Sequence, residues 1–506
     1  MPLSIASILA ESAVRYADRT AVVLGPLRIT YAELWDEAKR YAAVLRSKGI
    51  GEGDKVALLL PNTHHFPLAY FGVLALGGVA VPVHALLKAE EIEYVLTDSG
   101  TRALVCAAPL LGEGAKGAEL AGVPVLAVMD GGDASVERLD EFAASAQGVE
   151  AIVPRDAHDT AVVLYTSGTT GKPKGAEITH LNVTMNVVVS AQHSFDIDET
   201  DVVLGCLPLF HTFGQTCCMN TSFYVGATVV MLPRFSGPAA LDLLVDEKCT
   251  IFMGVPTMYV GLIEAAKSSE KRPSLKSALS GGAALPEAVL EQFNELYDTQ
   301  VLEGYGLTET SPVATFNQKG FPPVAGTVGK SIWGVDVEIA RAEVEERIEL
   351  LPTDELGELV VRGHNVFKGY LHKPEATEAA IIDGWFRTGD LGTKDADGYV
   401  RIVDRKKDMV IRGGYNVYPR DVEEVLLRHP AVAQVAVIGL PDPTSGEEIC
   451  AVVVLDGEVS EADLVSWSKQ HLAAYKYPRR VFFTDAFPLG PSGKVLKREL
   501  VATYAD

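Results

Sequence analysis

The sequence predicts an α/β protein. It would have a large N-terminal domain of parallel sheets flanked by helices, a β-rich subdomain, and a small α+β C-terminal domain. Three observations carry this. Short, nearly continuous apolar runs alternate with helical stretches through the first half of the chain, as parallel strands covered on both faces do. After Glu338 the character changes to charged, turn-rich segments such as LGELVVRG at 356–363, which read as antiparallel strands and hairpins. A polar break, RKKD at 405–408, then precedes about a hundred residues, enough for a small domain.

The elements follow in order. KVALLL at 55–60 reads as a buried strand, 68–76 as a helix, 79–83 as a strand, the charged stretch around 89–96 as a helix and 103–107 as a strand. Similar alternation runs through 202–207, 241–245 and 250–253, and a short strand is expected at 299–302. Pro419 suits a first helical turn and opens a helix through Arg428; 432–437 reads as a strand. The expected domains are therefore 1–404 and 405–506.

The 506 residues are 48% hydrophobic, so large cores can be buried. Lysine and arginine number 44 against 67 aspartates and glutamates, a net charge of −23. That balance argues against nucleic acid or an anionic membrane as the main partner, while leaving a small anionic ligand open. The cysteines at 106, 206, 217, 218, 249 and 450 have no zinc spacing and read as buried packing. With no secretory leader recognised, a cytoplasmic location is expected. The uncharged run 66–83 holds Pro67, Gly72, Gly77, Gly78 and Pro82, so a buried helix, a Gly-Gly turn and a strand explain it better than a membrane span.

Three segments carry chemistry. TSGTTGKPKG at 166–175 directly follows an apolar strand. Its glycines let backbone N–H groups converge, its hydroxyls add donors and its lysines add charge, which together make an anion cradle. Pro173 after Lys172 rules out the helix that a Walker loop needs. EGYGLTET at 303–310 offers close backbone approach at Gly304 and Gly306, a flat ring at Tyr305, a donor at Thr308 and a hard oxygen ligand for Mg²⁺ at Glu309. WFRTGD at 385–390 ends in Asp390, suited to two ribose hydroxyls; taken alone the segment is a turn.

In this order, and over nearly the whole chain, these segments resemble the adenylate-forming superfamily of acyl-CoA synthetases, luciferases and peptide-synthetase adenylation domains. LPLFHTFG at 207–214 is similar to the segment beside the acyl pocket, GGAALP at 281–286 to the adenine segment, GYVRIVDRKKD at 398–408 to the ribose arginine and hinge, and PSGKVLK at 491–497 to the catalytic-lysine motif. The resemblance implies two half-reactions. A carboxylate attacks the α-phosphate of MgATP to give an acyl-adenylate and pyrophosphate; a thiol, usually that of coenzyme A, then displaces AMP. It implies catalytic parts for Lys494, Thr308, Glu309 and His211, with Glu309 on the metal. Nucleotide contacts are implied for Thr166, Ser167, Gly168, Thr169, Thr170, Lys174, Gly282, Ala283, Ala284, Glu303, Gly304, Tyr305, Gly306, Asp390 and Arg405. Around the acyl group it implies His211, Phe213, Gln215, Val255, Gly304 and Val313. Lys407 would be the hinge of a mobile small domain, and Arg412, Gly413, Gly414 and Tyr415 would line the coenzyme A channel. Lys476 or Arg479 could meet a nucleotide phosphate or simply be solvated.

The segment FHTF at 210–213 lacks the aspartate that pairs with an amino-acid ammonium, and the stretches 253–260 and 215–220 lack charge. An apolar tail is the simplest partner, because each buried CH₂ contributes roughly 0.8 kcal/mol. A medium- or long-chain fatty acid is expected, with a bulky aryl or alicyclic acid as the alternative. Two further readings stand beside it: a ligase loading an acyl carrier protein, and a non-catalytic adenylate or acyl-chain binder. The sequence is also compatible with a homodimer.

Overall fold

A strand buried on both faces must meet apolar partners on each. The strand expected at 55–60 does so as Lys55–Leu59. Val56 and Leu58 enter one apolar cluster; Ala57 and Leu59 enter another on the opposite face. The computed structural model describes residues 3–131, 135–166, 172–490 and 494–505. Ser167, Gly168, Thr169 and Thr170 of the expected phosphate loop lie outside the described residues.

Among the described residues the first sheet has seven strands, in the order Gly369–Tyr370, Lys174–Thr179, Thr160–Thr166, Val79–Pro82, Lys55–Leu59, Ala103–Ala107 and Val125–Val128. The second has nine: Lys330–Ser331, Val313–Phe316, Val301–Gly306, Ser277–Ser280, Ile251–Gly254, Val202–Gly205, Thr228–Met231, Thr20–Leu24 and Leu27–Thr30. Their centres are parallel, as expected. Their edges are not: Thr160–Thr166 runs antiparallel to Lys174–Thr179, Thr20–Leu24 to Leu27–Thr30 and Val301–Gly306 to Val313–Phe316. Connections this short cannot make the crossover that a parallel pair needs.

The run 66–83 forms the helix His65–Ala75, every residue of which is buried, then a turn with Gly77 at φ +70° and the strand Val79–Pro82. A helix apolar all round belongs inside a large core. No helix among the described residues is long and apolar enough to cross a membrane. Helix Tyr31–Ser47 packs against it, its start fixed by a capping box between Thr30 and Glu33.

Several boundaries differ from expectation. The strand placed at 299–302 is Val301–Gly306, so the glycines of EGYG lie within a strand. WFRTGD is no turn but the first part of the ten-residue strand Trp385–Lys394. Residues 241–245 belong to the helix Gly237–Asp246, and the strand at 432–437 continues as Val432–Asp442.

The β-rich subdomain is an antiparallel sheet built on Val335–Ala340, Gly357–Gly363, Trp385–Lys394 and Val400–Arg405. Beyond residues 406–409 the C-terminal sheet begins with Val410–Arg412. Its long hairpin, Val432–Asp442 with Gly446–Leu455, alternates with period two. Val437 and Ile449 face one apolar cluster, Ile438 and Cys450 the other. Contacts among the described residues hold this unit against the rest: Arg420 Nη1 donates to Ile402 O at 2.7 Å, Arg420 N donates to Asp404 Oδ2 at 3.1 Å, Lys267 pairs with Asp456 at 3.6 Å, and Lys494 reaches a cavity walled by the larger part.

Candidate active site

The ends of the two sheets and the β-rich subdomain enclose a cavity of about 990 Å³. The antiparallel strands Thr160–Thr166 and Lys174–Thr179 bring Thr166, Lys172 and Lys174 to its wall. After Pro173 the chain continues as the strand Lys174–Thr179, where a Walker loop would begin its helix. Two tyrosines anchor the returning stem. Lys172 Nζ lies 4.9 Å above the Tyr94 ring, and Tyr94 OH donates to Pro173 O at 2.8 Å. Lys174 Nζ lies 4.5 Å above the Tyr370 ring.

The strand Val301–Gly306 delivers Gly304, Tyr305 and Gly306 to the cavity, followed by Thr308 and Glu309. At Gly306 a Cβ would lie 1.9 Å from Pro312 O, so only glycine permits this path. Three asparagines brace the segment that follows and the stretch 364–366 beside it. Asn186 and Asn365 both donate to Val313 O at 2.9 Å, and Asn182 donates to the carbonyls of His364 and Val366. The buried Glu309 carboxylate accepts from Tyr370 OH at 2.8 Å. Tyr305 OH donates to Asp390 Oδ2 at 2.5 Å, and Arg405 Nε pairs with Asp390 Oδ1 at 2.9 Å. Asp390 therefore stands between a ring and a guanidinium on two neighbouring sheets.

Lys494 enters the same cavity, its chain 3.7 Å from where a Cβ on Gly282 would stand; Gly282 has φ +82°. Burial pulls the Lys494 ammonium down to about 8, and the nearby Arg405 charge pushes the same way. The charged form therefore dominates below pH 8 and is lost above it. Adenylate formation measured as kcat/KM for ATP should fall with rising pH through about 8, towards roughly tenfold per unit beyond. A profile flat from pH 7 to 10 would contradict a working ammonium at Lys494. Burial also holds His211 down to about 4, with Lys494 second, so the imidazole is neutral at pH 7. Its Nδ1 accepts from Phe213 N at 3.2 Å, which leaves the proton on Nε2.

The other part of the wall is aromatic. Phe213 packs on Gly281, Phe316 packs on Gly304, and the rings of Phe195 and Phe316 meet edge to face at 4.9 Å. Cys217 and Val313 complete this uncharged patch. Asn62 holds the segment carrying His211: its amide donates to Gly205 O and Leu207 O at 3.2 and 2.7 Å, and its Oδ1 accepts from Leu209 N at 3.0 Å.

Other expected site residues stand back from the wall. Gln215 turns its amide to Leu209 O at 3.3 Å, and Val255 packs beneath Gly282. Ala283 and Ala284 lie beyond the lining residues. Glu303 accepts from Leu285 N at 3.3 Å behind that loop, where burial pushes its carboxyl up to about 7. Arg412, Gly413, Gly414 and Tyr415 lie outside this cavity; Arg412 is paired with Glu448 at 2.5 Å. Lys407 is exposed in the connection 406–409. Lys476 is held by Asp421 at 2.6 Å, and Arg479 stacks on Tyr477. Sequence reading missed Tyr94, Asn62, Phe195, Phe316 and Tyr370, which the fold brings in from distant segments.

The pattern of the AMP-binding enzymes matches residues 9–371, and that of the AMP-binding enzyme C-terminal domain matches residues 421–494. The chain belongs to this family. It falls in the acyl-CoA synthetase branch of the adenylate-forming superfamily and is an AMP-forming acid–CoA ligase. It is 35% identical to the long-chain-fatty-acid–CoA ligase of Bacillus subtilis (strain 168), over 98% of this chain and 93% of that enzyme. It is 38% identical to a feruloyl-CoA synthase of Amycolatopsis sp., over 95% of each. Among solved structures, ATP-bound MatB from Rhodopseudomonas palustris superposes with a TM-score of 0.90 at 33% identity, covering 99% of both chains. The apo form of MatB superposes with a TM-score of 0.80 at 33% identity.

Proposed function

We propose that this enzyme activates an apolar carboxylic acid, a medium- or long-chain fatty acid first, through an acyl-adenylate and transfers it to coenzyme A. One observation carries the reading. A single cavity joins the charges of Lys172, Lys174, Glu309, Arg405 and Lys494 to an uncharged patch of Phe195, Phe213, Cys217, Val313 and Phe316. The first set suits a triphosphate and a reacting carboxylate; the second suits an alkyl chain or a flat ring.

Attack of a carboxylate on the α-phosphate brings two anions together, so positive charge must offset their repulsion. Lys494, positioned beside Gly282, supplies it by spanning the carboxylate and the phosphate. Neutral His211 adds a donor at Nε2, and Thr308 a hydroxyl. Lys174, with the loop that begins at Thr166, grips the outer phosphates, and the backbone of Gly304 to Gly306 passes the adenine. Asp390 takes the ribose hydroxyls, with Arg405 beside it. The uncharged acyl wall disfavours a dicarboxylate, whose second charge would be buried unpaired.

A Mg²⁺ ion fits Glu309, a buried carboxylate that lines the cavity and whose Oε1 accepts from Tyr370 OH. No cluster of three or more metal-ligating side chains exists among the described residues, so phosphate oxygens and water would complete the shell, as Mg²⁺ prefers. When bound, it neutralises phosphate charge.

For the second step the small domain, 405–506, turns about Lys407. This withdraws Lys494 and presents Arg412 to Tyr415 to the pantetheine arm. The free, buried cysteines suit a reducing cytoplasm. Pyrophosphate release across fatty, aryl and dicarboxylic acids tests the acid, with product mass recorded for coenzyme A against an acyl carrier protein. Highest kcat/KM for an aryl or dicarboxylic acid would replace the fatty-acid reading. A thioester formed only on the carrier protein would replace coenzyme A.

A further inference from the structure

The geometry points to Tyr370 as a positioning residue that locks the Glu309 carboxylate and the Lys174 ammonium into one unit, so that metal and outer phosphates are held together. The inference rests on the nucleotide-site reading above and adds a residue to it.

Three observations place Tyr370. Its phenol OH donates to Glu309 Oε1 at 2.8 Å, and its ring lies under Lys174 Nζ at 4.5 Å. The backbone around it is stitched to both sides. Leu371 N donates to Gly175 O and Lys368 N to Glu177 O, at 2.8 and 2.9 Å, while Phe367 N donates to Glu309 O at 2.9 Å. Gly369 pairs with Glu177 and Tyr370 with Ala176 in the sheet. A two-residue strand thus fastens the stem of the phosphate loop to the segment carrying the carboxylate, 61 residues away in sequence.

The chemistry follows from the contacts. A phenol carries its proton at neutral pH and a carboxylate only accepts, so Tyr370 OH donates to Glu309 Oε1. With Oε1 engaged, the carboxylate keeps one rotamer and offers Oε2. The ring face holds the Lys174 ammonium electrostatically without neutralising it, leaving its donors for phosphate. A carboxylate in place of that ring would pair with the lysine and compete with the ligand. Tyr94 gives Lys172 a similar ring platform on the other side of Pro173.

The test uses the whole chain with Mn²⁺ and a non-hydrolysable ATP analogue, reading bound Mn²⁺ by electron paramagnetic resonance. Y370F keeps the ring and removes only the hydroxyl. It should weaken Mn²⁺ in the ternary complex about tenfold, as loss of a partner of a metal ligand commonly does. Affinity for the analogue in EDTA, and the KM of the acid, should stay at the parent values. Y370L also removes the ring and should weaken the analogue in EDTA several-fold. In an E309Q background Y370F should cost nothing further, since the two groups act through one bond. Parental Mn²⁺ affinity in Y370F, or an equal loss with and without E309Q, overturns the inference alone. A parent chain that binds no Mn²⁺–nucleotide overturns it together with the site reading.

Discussion

Lys494→Ala should abolish adenylate formation while sparing the second half-reaction. The expected loss in pyrophosphate exchange is about 10²–10³-fold, the usual cost of removing one group aimed at charge developing in a transition state. The residue has the attributes such a part needs. It lines the cavity that also holds Glu309 and Arg405. Burial has already removed water from its ammonium, which is why its pKa falls to about 8. A desolvated charge acts more strongly on a phosphate than a solvated one. In the proposed second orientation the lysine is away from the reacting atoms, so coenzyme A should still consume a supplied acyl-adenylate near the parent rate. The alanine leaves a void beside Gly282 but breaks no hydrogen bond among the described residues, so the melting temperature should barely move. Exchange at the parental rate would remove Lys494 from the mechanism. Equal loss in both half-reactions would mean that the substitution acts through structure.

How much of this was legible depends on what kind of contact carries it. The strands at 55–59, 79–82 and 103–107 were plain because helices cover both faces, leaving unbroken apolar runs. The edge strand Gly369–Tyr370 was not, because two residues carry no period. The strand expected at 299–302 stopped short of EGYG, because its glycines carry no apolar period. In the fold they sit in a strand so that Pro312 and the Phe316 ring can press against bare backbone.

The motifs pointed to Lys494, Glu309 and Arg405, which line the cavity, and to Asp390, which pairs with Arg405. Gln215 and Val255, expected at the acyl group, do not line that cavity. The segment Phe213–Asn220 is a π-helix, so spacing along an ordinary helix does not say which side chains face the ligand. Tyr370 and Asn62 could not be read at all. Each acts across a gap of tens of residues or more, through a sheet register that the sequence does not display.

Lys407→Pro should separate the half-reactions in the opposite sense. The strand Val400–Arg405 belongs to the β-rich sheet, pairing Asp390 with Arg405. The strand Val410–Arg412 belongs to the C-terminal sheet. Between them, Asp408 N and Met409 N both donate to Arg405 O, at 3.0 and 3.2 Å, and Lys406 N donates to Gly389 O at 2.9 Å. These are turn contacts of a short polar connection, and residue 407 sits in the middle of it. A rotation of the small domain needs the φ and ψ of such a residue to change. Proline fixes its own φ near −65° and narrows the choices of Lys406 before it. Thioester formation from supplied adenylate and coenzyme A should therefore drop on the order of 100-fold, while pyrophosphate exchange stays within about threefold of the parent. Lys407→Ala is the control: it removes the side chain, which partial desolvation holds below its usual pKa, yet leaves the backbone free. If alanine reproduces the proline effect, the ammonium and not the torsion is what matters. If proline slows both half-reactions alike, the rotation is not centred on Lys407.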